Sequence, residues 1–406
     1  MVRVLTALVV TLASVAYAQE WPQLHGPARN SVYPSTNLLS TWPKEGPRVL
    51  WQKEVGQGFA GPVSASNRVV LFHRTNDSER VECFEASSGR QIWAFNYPAA
   101  YRDDFGFDEG PRATPTIFGN RVYTYGAEGA LHCLDYANGK RLWSVDCKAQ
   151  FGARKGFFGI ACSPLIMGGL LLLDVGGTRA GIIAFDRETG KVAWQTSPSE
   201  TSYSSPVAAT IDGKARAFFF RREGLESVDA ATGKVLWDFP WKPSIDASVN
   251  AATPIVTGDL IFISTSYGRG AALLRFGETK PEVLWSGDDQ LSNHYATSVH
   301  HQGYLYGYHG RQEHGCELRC VELKTGKLMW SVERFGAGTL MVAGRDLLLL
   351  TEKGELIKAP ASPREFKPGA RAQVLGFETR AYPALANGLF FARDKRRLVC
   401  VDLRGG

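Results

Sequence analysis

The stretch Asp135-Tyr136-Ala137-Asn138-Gly139-Lys140-Arg141-Leu142-Trp143 recurs along the chain. It returns as Asp186…Gly190-Lys191…Trp194 and as Asp229…Gly233-Lys234…Trp237. With Glu for Asp it returns as Glu85…Gly89-Arg90…Trp93 and Glu322…Gly326-Lys327…Trp330. One spacing, acidic-x-x-x-Gly-basic-x-x-Trp, held in register five times is an internal repeat. A repeat constrains the architecture before any single residue is weighed.

Each copy joins two short apolar runs through a few polar residues with Gly, the pattern of a β-hairpin. The acidic side chain suits the backbone N–H groups of the turn. Gly supplies its positive φ. Trp lies on the outgoing strand, where its flat face can cover a neighbouring sheet. Asp135, Asp186 and Asp229 therefore read as structural, as do Trp51, Trp93, Trp143, Trp194, Trp237, Trp285 and Trp330.

Before each hairpin stand two further apolar runs, such as those following Thr114-Pro115, Ser163-Pro164, Ser205-Pro206 and Thr253-Pro254. That makes four strands per unit at a period of about 42–51 residues, the size of a propeller blade. Eight units are counted. The fifth has a degenerate turn at Phe276–Pro281, and the seventh has Leu375 where Trp is expected. The eighth stops one strand short, and an orphan strand around Trp51 precedes the first. Pairing the two would close a ring and remove two sheet edges. The expected fold is an all-β, eight-bladed propeller over residues 47–406, with four-stranded antiparallel blades. Residues 19–46, rich in X-Pro pairs and Trp, read as an extension packed on it.

Met1-Val2-Arg3, an apolar run from Val4 to Val15, and Ala16-Tyr17-Ala18 have the layout of a signal peptide over residues 1–18. The expected location is periplasmic or secreted, with no transmembrane segment in the mature chain. Lys395-Arg396-Arg397 is the longest basic run, too short for a nucleic-acid patch. The seven cysteines include Cys83, Cys133, Cys320 and Cys400 at one repeat position, where they read as small buried hydrophobes. Cys147–Cys162 is the pair to test for a bridge.

The repeat resembles the PQQ-like (quinoprotein-like) eight-bladed propeller family. The motif Asp-x-x-Thr-Gly-Lys-x-x-Trp is purest at Asp186–Trp194 and Asp229–Trp237. Trp21-Pro22-Gln23-Leu24-His25-Gly26-Pro27 and Gly110-Pro111-Arg112-Ala113-Thr114-Pro115 look like a bacterial PQQ-binding-like, BamB-like subgroup. The quinoprotein side of the resemblance implies PQQ with Ca²⁺. The adjacent-cysteine pair, the Cys-x-x-Cys-His haem site and the Glu/Asn/Asp calcium set of those enzymes do not map here, and fold alone does not license their activity.

His294, His300, His301, His309 and His314 crowd one unit without paired metal-ligand spacing, so no metal is expected. In a propeller, loops leading into the innermost strands ring one mouth of the channel. Here they carry Glu109, Arg112, Phe158, Tyr203, Asn250, His294 and Tyr382, candidates for binding a polar ligand or peptide. The expected function is a non-catalytic, monomeric binding or scaffold module for a protein or polymer partner, without nucleic acid or cofactor. The alternatives are a divergent PQQ-dependent dehydrogenase and, more weakly, a carbohydrate-binding protein.

Overall fold

The computed structural model describes residues 19–405 apart from Thr36, Asp212 and Glu278. The proposed leader lies outside the described residues. Eight sheets stand as blades, each running from an innermost to an outermost strand. Blade 1 is β3–β6 (Val63–Ala65, Arg68–Thr75, Ser78–Glu85, Gln91–Pro98) and blade 2 is β7–β10 (Thr116–Phe118, Arg121–Tyr125, Ala130–Asp135, Arg141–Asp146). Blades 3 to 6 follow as β11–β14, β15–β18, β19–β22 and β23–β26, spanning 165–195, 207–240, 255–287 and 299–332. Blade 7 is β27–β30 (Gly338–Ala343, Asp346–Thr351, Glu355–Pro360, Ala370–Gln373). One helical turn, α1 (Cys147–Phe151), leads from blade 2 towards blade 3.

Blade 8 takes β31–β33 (Ala384–Ala386, Leu389–Arg393, Arg397–Asp402) from the end of the chain and its outer strand, β2 (Val49–Glu54), from the beginning. Trp51 pairs with Cys400 and Gln52 with Val399, antiparallel. The ring is thus closed by hydrogen bonds between the two ends of the sequence, as the orphan strand implied.

The repeat motif is an inter-blade joint. Trp51 lies over Gly89 of blade 1, Trp93 over Gly139, Trp143 over Gly190, Trp194 over Gly233 and Trp285 over Gly326. Each of these indoles also donates Nε1–H to a carbonyl of that next blade, for example Trp51 to Ala86 at 2.8 Å and Trp93 to Tyr136 at 2.9 Å. Gly therefore has two reasons to be there. Its φ is positive, and a Cβ at Gly233 would stand 2.3 Å from the Trp194 ring. The acidic residue shapes the same turn: Asp229 accepts from Ala231 N, Thr232 N and Thr232 Oγ1. Where blade 5 lacks the turn, the Trp237 Nε1 is buried with no partner among the described residues and Phe276 stacks on Phe218. In blade 7 the side chain of Phe366 and the carbonyl of Ser362 receive Trp330.

A direct test contrasts two glycines of positive φ. Gly233→Ala is expected to cost more than about 1 kcal/mol, because strain adds to a clash. Gly258→Ala, with open space where its Cβ would go, meets only the strain. Urea denaturation should separate them; equal midpoints would contradict the joint.

Residues 19–33 pass into the channel. Trp21 bonds to Ser64 of β3, the Pro22 carbonyl accepts from Ile117 N of β7, and β1 (Val32–Tyr33) runs parallel to β27 on the axis side. Between them the chain turns sharply, with positive φ at His25, Gly26, Arg29 and Ser31. Gly26 abuts the Trp21 ring. Arg29 is buried and reaches carbonyls of two blades: it donates to Pro206 O at 2.7 Å, to Ser163 O, and to Pro164 O. Burial lowers its pKa to about 10. Leu38 and Leu39 then pair with Arg404 and Leu403. Channel-facing backbone that would otherwise be unpaired is satisfied by this segment.

All seven cysteines are free and buried, Cys147 and Cys162 among them. Desolvation raises both of those thiols to about 12. They share one apolar cluster with Tyr125, so they pack as hydrophobes.

Two buried imidazoles give the fold an acid sensitivity. Burial, reinforced by Arg29, lowers His25 to about 3, and burial, reinforced by Arg141, lowers His132 to about 4. The unfolded chain takes up these protons near 6.5 while the folded chain refuses them. Stability is therefore complete above about pH 6.5 and is lost as pH falls towards 4. Both ring nitrogens of His132 lack partners among the described residues, so His132→Phe removes a titrating group without breaking a bond described there. Thermal melts between pH 7 and 4.5 should show a shallower pH slope for the variant; identical slopes would rule the assignment out.

Candidate functional site

The loops joining each outer strand to the next inner strand all emerge on one face, with the hairpin tips between second and third strands. They enclose a cavity of about 320 Å³ at the channel mouth. Its floor includes Leu24 of the channel segment, so the cavity is a cup closed below.

The wall is aromatic. Phe105 and Phe107 come from the loop into blade 2, Phe157 and Phe158 from the loop into blade 3, and Phe59 from the loop into blade 1. Phe105 and Phe158 centroids lie 5.2 Å apart, and Phe158 packs on Tyr203 at 5.6 Å. Gly106 and Gly156, both at positive φ, turn these loops. The Tyr203 hydroxyl accepts from Phe157 N (2.6 Å) and Phe158 N (2.9 Å), fixing the loop tip. Phe105 is 55% exposed, Phe107 50% and Phe157 40%, and Phe377 of the loop into blade 8 is 69% exposed. Exposed aromatics gathered on one face mark an interaction surface.

Three guanidiniums stand among these rings. Arg112 lies 5.3 Å from the Phe59 centroid and Arg380 lies 5.9 Å from the same ring, while Arg311 lies 4.7 Å from that of Tyr267. Asp103, fully buried, pairs with Arg112 at 3.4 Å. Glu352 pairs with Arg380 at 2.9 Å and Glu313 with Arg311 at 3.2 Å. Tyr267 holds φ +68° on a hairpin tip, an unusual conformation for a bulky residue. Its hydroxyl is 2.7 Å from His294 Nε2, and His294 Nδ1 bonds to Gln312 Oε1. With that amide oxygen accepting, Nδ1 carries the proton and Tyr267 donates to Nε2. Burial lowers the His294 pKa, keeping the ring neutral.

Of the residues expected at the mouth, Arg112, Phe158, Tyr203, His294 and Tyr382 line the cavity. Tyr382 also stacks edge-on against His25 and donates to Tyr295 O. Glu109 and Asn250 stand outside its wall. Glu109 turns to Arg74 and Arg102. Asn250 is buried, with Nδ2 on the carbonyls of Arg221 and Trp241. Both positions satisfy loop polar groups instead of facing the cup. Phe59, Phe105, Phe107, Phe157, Tyr267, Arg311 and Arg380 were not singled out by sequence. Phe105-Gly106-Phe107 and Gly156-Phe157-Phe158 carried a readable signal, aromatics beside loop glycines; Tyr267 and Arg311 lie on hairpin tips whose approach to the axis only the blade tilt decides.

The family described as "outer membrane protein assembly factor BamB" matches residues 77–331. The chain belongs to that family. BamB of Moranella endobia is 23% identical over 284 residues, 66% of this chain and 69% of that protein. Quinohemoprotein alcohol dehydrogenase ADH-IIG of Pseudomonas putida is 28% identical over 176 residues, 41% of this chain but only 23% of that enzyme's length. Among solved structures, BamB of Moraxella catarrhalis aligns with a TM-score of 0.64 at 14% identity, over 87% of this chain and 96% of that one. The quinohemoprotein alcohol dehydrogenase of Comamonas testosteroni aligns with a TM-score of 0.70 at 13% identity, over 97% and 82%. At such identity these two likenesses concern the fold.

The cup meets PQQ and Ca²⁺ unequally. Its rings and guanidiniums suit a planar polycarboxylate. Calcium needs six to eight oxygen ligands. Glu313 is the carboxylate among the lining residues, and among the described residues no three His, Cys, Asp or Glu side chains are grouped to hold a metal ion. The residues therefore do not fit the calcium-bound cofactor.

Proposed function

We propose that this chain is a binding propeller that offers the cup and its exposed phenylalanines to a protein partner and performs no chemistry itself. The observation that carries this reading is the cluster Phe105, Phe107 and Phe157, half-exposed around a cup with a closed floor. Such apolar surface is costly to leave in water and is stabilised by a partner's contact. The BamB relatives support it, being named as assembly factors. The leader-like N-terminus supports an exported location.

A photo-crosslinking residue at 105 or 157 should capture one recurrent protein in the native envelope, whereas the same residue at 142, on the opposite face, should not. Equal labelling from the two faces would sink the reading. The dehydrogenase reading rests on the quinohemoprotein relatives. It is checked by titrating PQQ with calcium chloride and assaying dye reduction with alcohols. No binding and no reduction are expected; micromolar binding with dye reduction would overturn the binding-module reading.

A further inference from the structure

The cup's electrostatics specify what enters it. Three guanidiniums line it, each with one carboxylate partner, and of those partners Glu313 is a lining residue while Asp103 and Glu352 stand behind Arg112 and Arg380. Their hydrogen-bonding capacity is underused. Among the described residues Arg380 donates no hydrogen bond, keeping only its ion pair with Glu352. Among the same residues Arg311 donates only to Glu313, and its Nε is buried without a partner there. Arg112 makes three long contacts, at 3.3–3.4 Å, to Gly110 O, Asp103 and Asp108 O. Arg112 and Arg380 converge on one ring, Phe59, so two cations share a small apolar space. An anion with an apolar body relieves that repulsion while its apolar part covers the rings; a cation with the same body covers the rings but adds to the repulsion.

The shape points to a chain. The cup shares Phe157 and Tyr203 with a wider recess of about 790 Å³. That recess is lined by charged groups of both signs, Arg154, Lys155 and Arg222 with Glu128, Glu200 and Asp246. An apolar cup and a polar trough on either side of Phe157 and Tyr203 suit an extended segment that buries one apolar side chain and lays polar groups beyond it.

We infer that the occupant is an extended peptide segment in which an acidic side chain neighbours an aromatic or aliphatic one, the carboxylate meeting Arg112 and Arg380 and the apolar side chain lodging between Phe59, Phe105 and Phe158. This rests on the binding-module reading and names the partner's chemistry.

Isothermal titration calorimetry of the mature chain with a capped peptide of alternating Glu and Phe is the test, with the same peptide carrying Lys for Glu as the control. The Glu peptide should bind roughly tenfold or more tightly than the Lys peptide, and less so at high salt. Arg112→Gln with Arg380→Gln should weaken the Glu peptide roughly tenfold and leave the Lys peptide unweakened. Circular dichroism and melting of that variant verify its fold. The inference is overturned if both peptides bind alike, if neither binds at millimolar concentration, or if the Arg variants change nothing. Phe105→Ser with Phe157→Ser separates the two levels. Loss of both peptides there, with no acid preference, keeps the binding face and discards the acidic occupant; unchanged binding there discards both.

Discussion

Trp51→Ala is expected to lower the unfolding free energy by about 3–5 kcal/mol, the range for emptying a buried aromatic site. Trp51 sits on the strand that closes the ring and is buried at its joint with blade 1. Its ring tilts against Phe84 and Phe391, lies on Gly89, and donates to Ala86 O. Ala would forfeit all four contacts and leave the Ala86 carbonyl without that donor. The effect should exceed that of Trp143→Ala, whose indole is only half-buried. There is a topological reason as well. In every other blade the four antiparallel strands are continuous in sequence, β1 being an addition to blade 7, whereas blade 8 depends for its outer strand on the far end of the chain. Urea denaturation with tryptophan fluorescence and far-UV circular dichroism gives the comparison. A loss for Trp51→Ala no larger than that for Trp143→Ala would contradict the closure argument.

Arg29→Ala should cost about 3 kcal/mol, since buried carbonyls left unpaired each cost about 1–3 kcal/mol. The guanidinium spans the carbonyls of Ser163, Pro164 and Pro206, joining blades 3 and 4 through the channel segment, while its Nε donates to Gln23. Removing it also relieves the desolvation of a buried cation, which is why the expected figure stays near the lower end of the sum. Arg29→Lys should recover only part, because a compact ammonium cannot reproduce the guanidinium's fork. The control is Arg404→Ala. Arg404 is half-exposed on Asp402, an ion pair of the kind that contributes less than about 1 kcal/mol. Limited proteolysis supplies a second readout: in Arg29→Ala the 19–33 segment should be cut at rates the wild type does not show. Equal stability of the Arg29 and Arg404 variants would mean that the channel segment is not held as described.

The pattern of residues allowed the blades to be drawn because strand, turn and joint are local in sequence. Acidic-x-x-x-Gly-basic-x-x-Trp reports a hairpin and its docking surface within nine residues, and its failures mark blades 5 and 7, where Phe276 and Phe366 take over the packing. Ring closure was legible for the same reason: Trp51 lacked an incoming strand and Val399 an outgoing one. The cup was legible only in part. Arg112, Phe158, Tyr203, His294 and Tyr382 follow from their place ahead of innermost strands, whereas Glu109 and Asn250 hold the same place and turn away. Side-chain direction in a loop depends on which backbone groups need partners, and those partners, Arg74 for Glu109 and the carbonyls of Arg221 and Trp241 for Asn250, come from elsewhere in the chain.

The sequence by itself determined the repeat, the number of blades and the seam, because each rests on contacts between residues close in sequence or equivalent by period. Only the tertiary structure decided that residues 19–33 occupy the channel, that Arg29 is fastened to carbonyls more than 130 residues away, and that Arg112 and Arg380 meet over Phe59. Those arrangements join groups from different blades, and their distances are set by how the sheets are arranged around the axis, a quantity that no local pattern encodes.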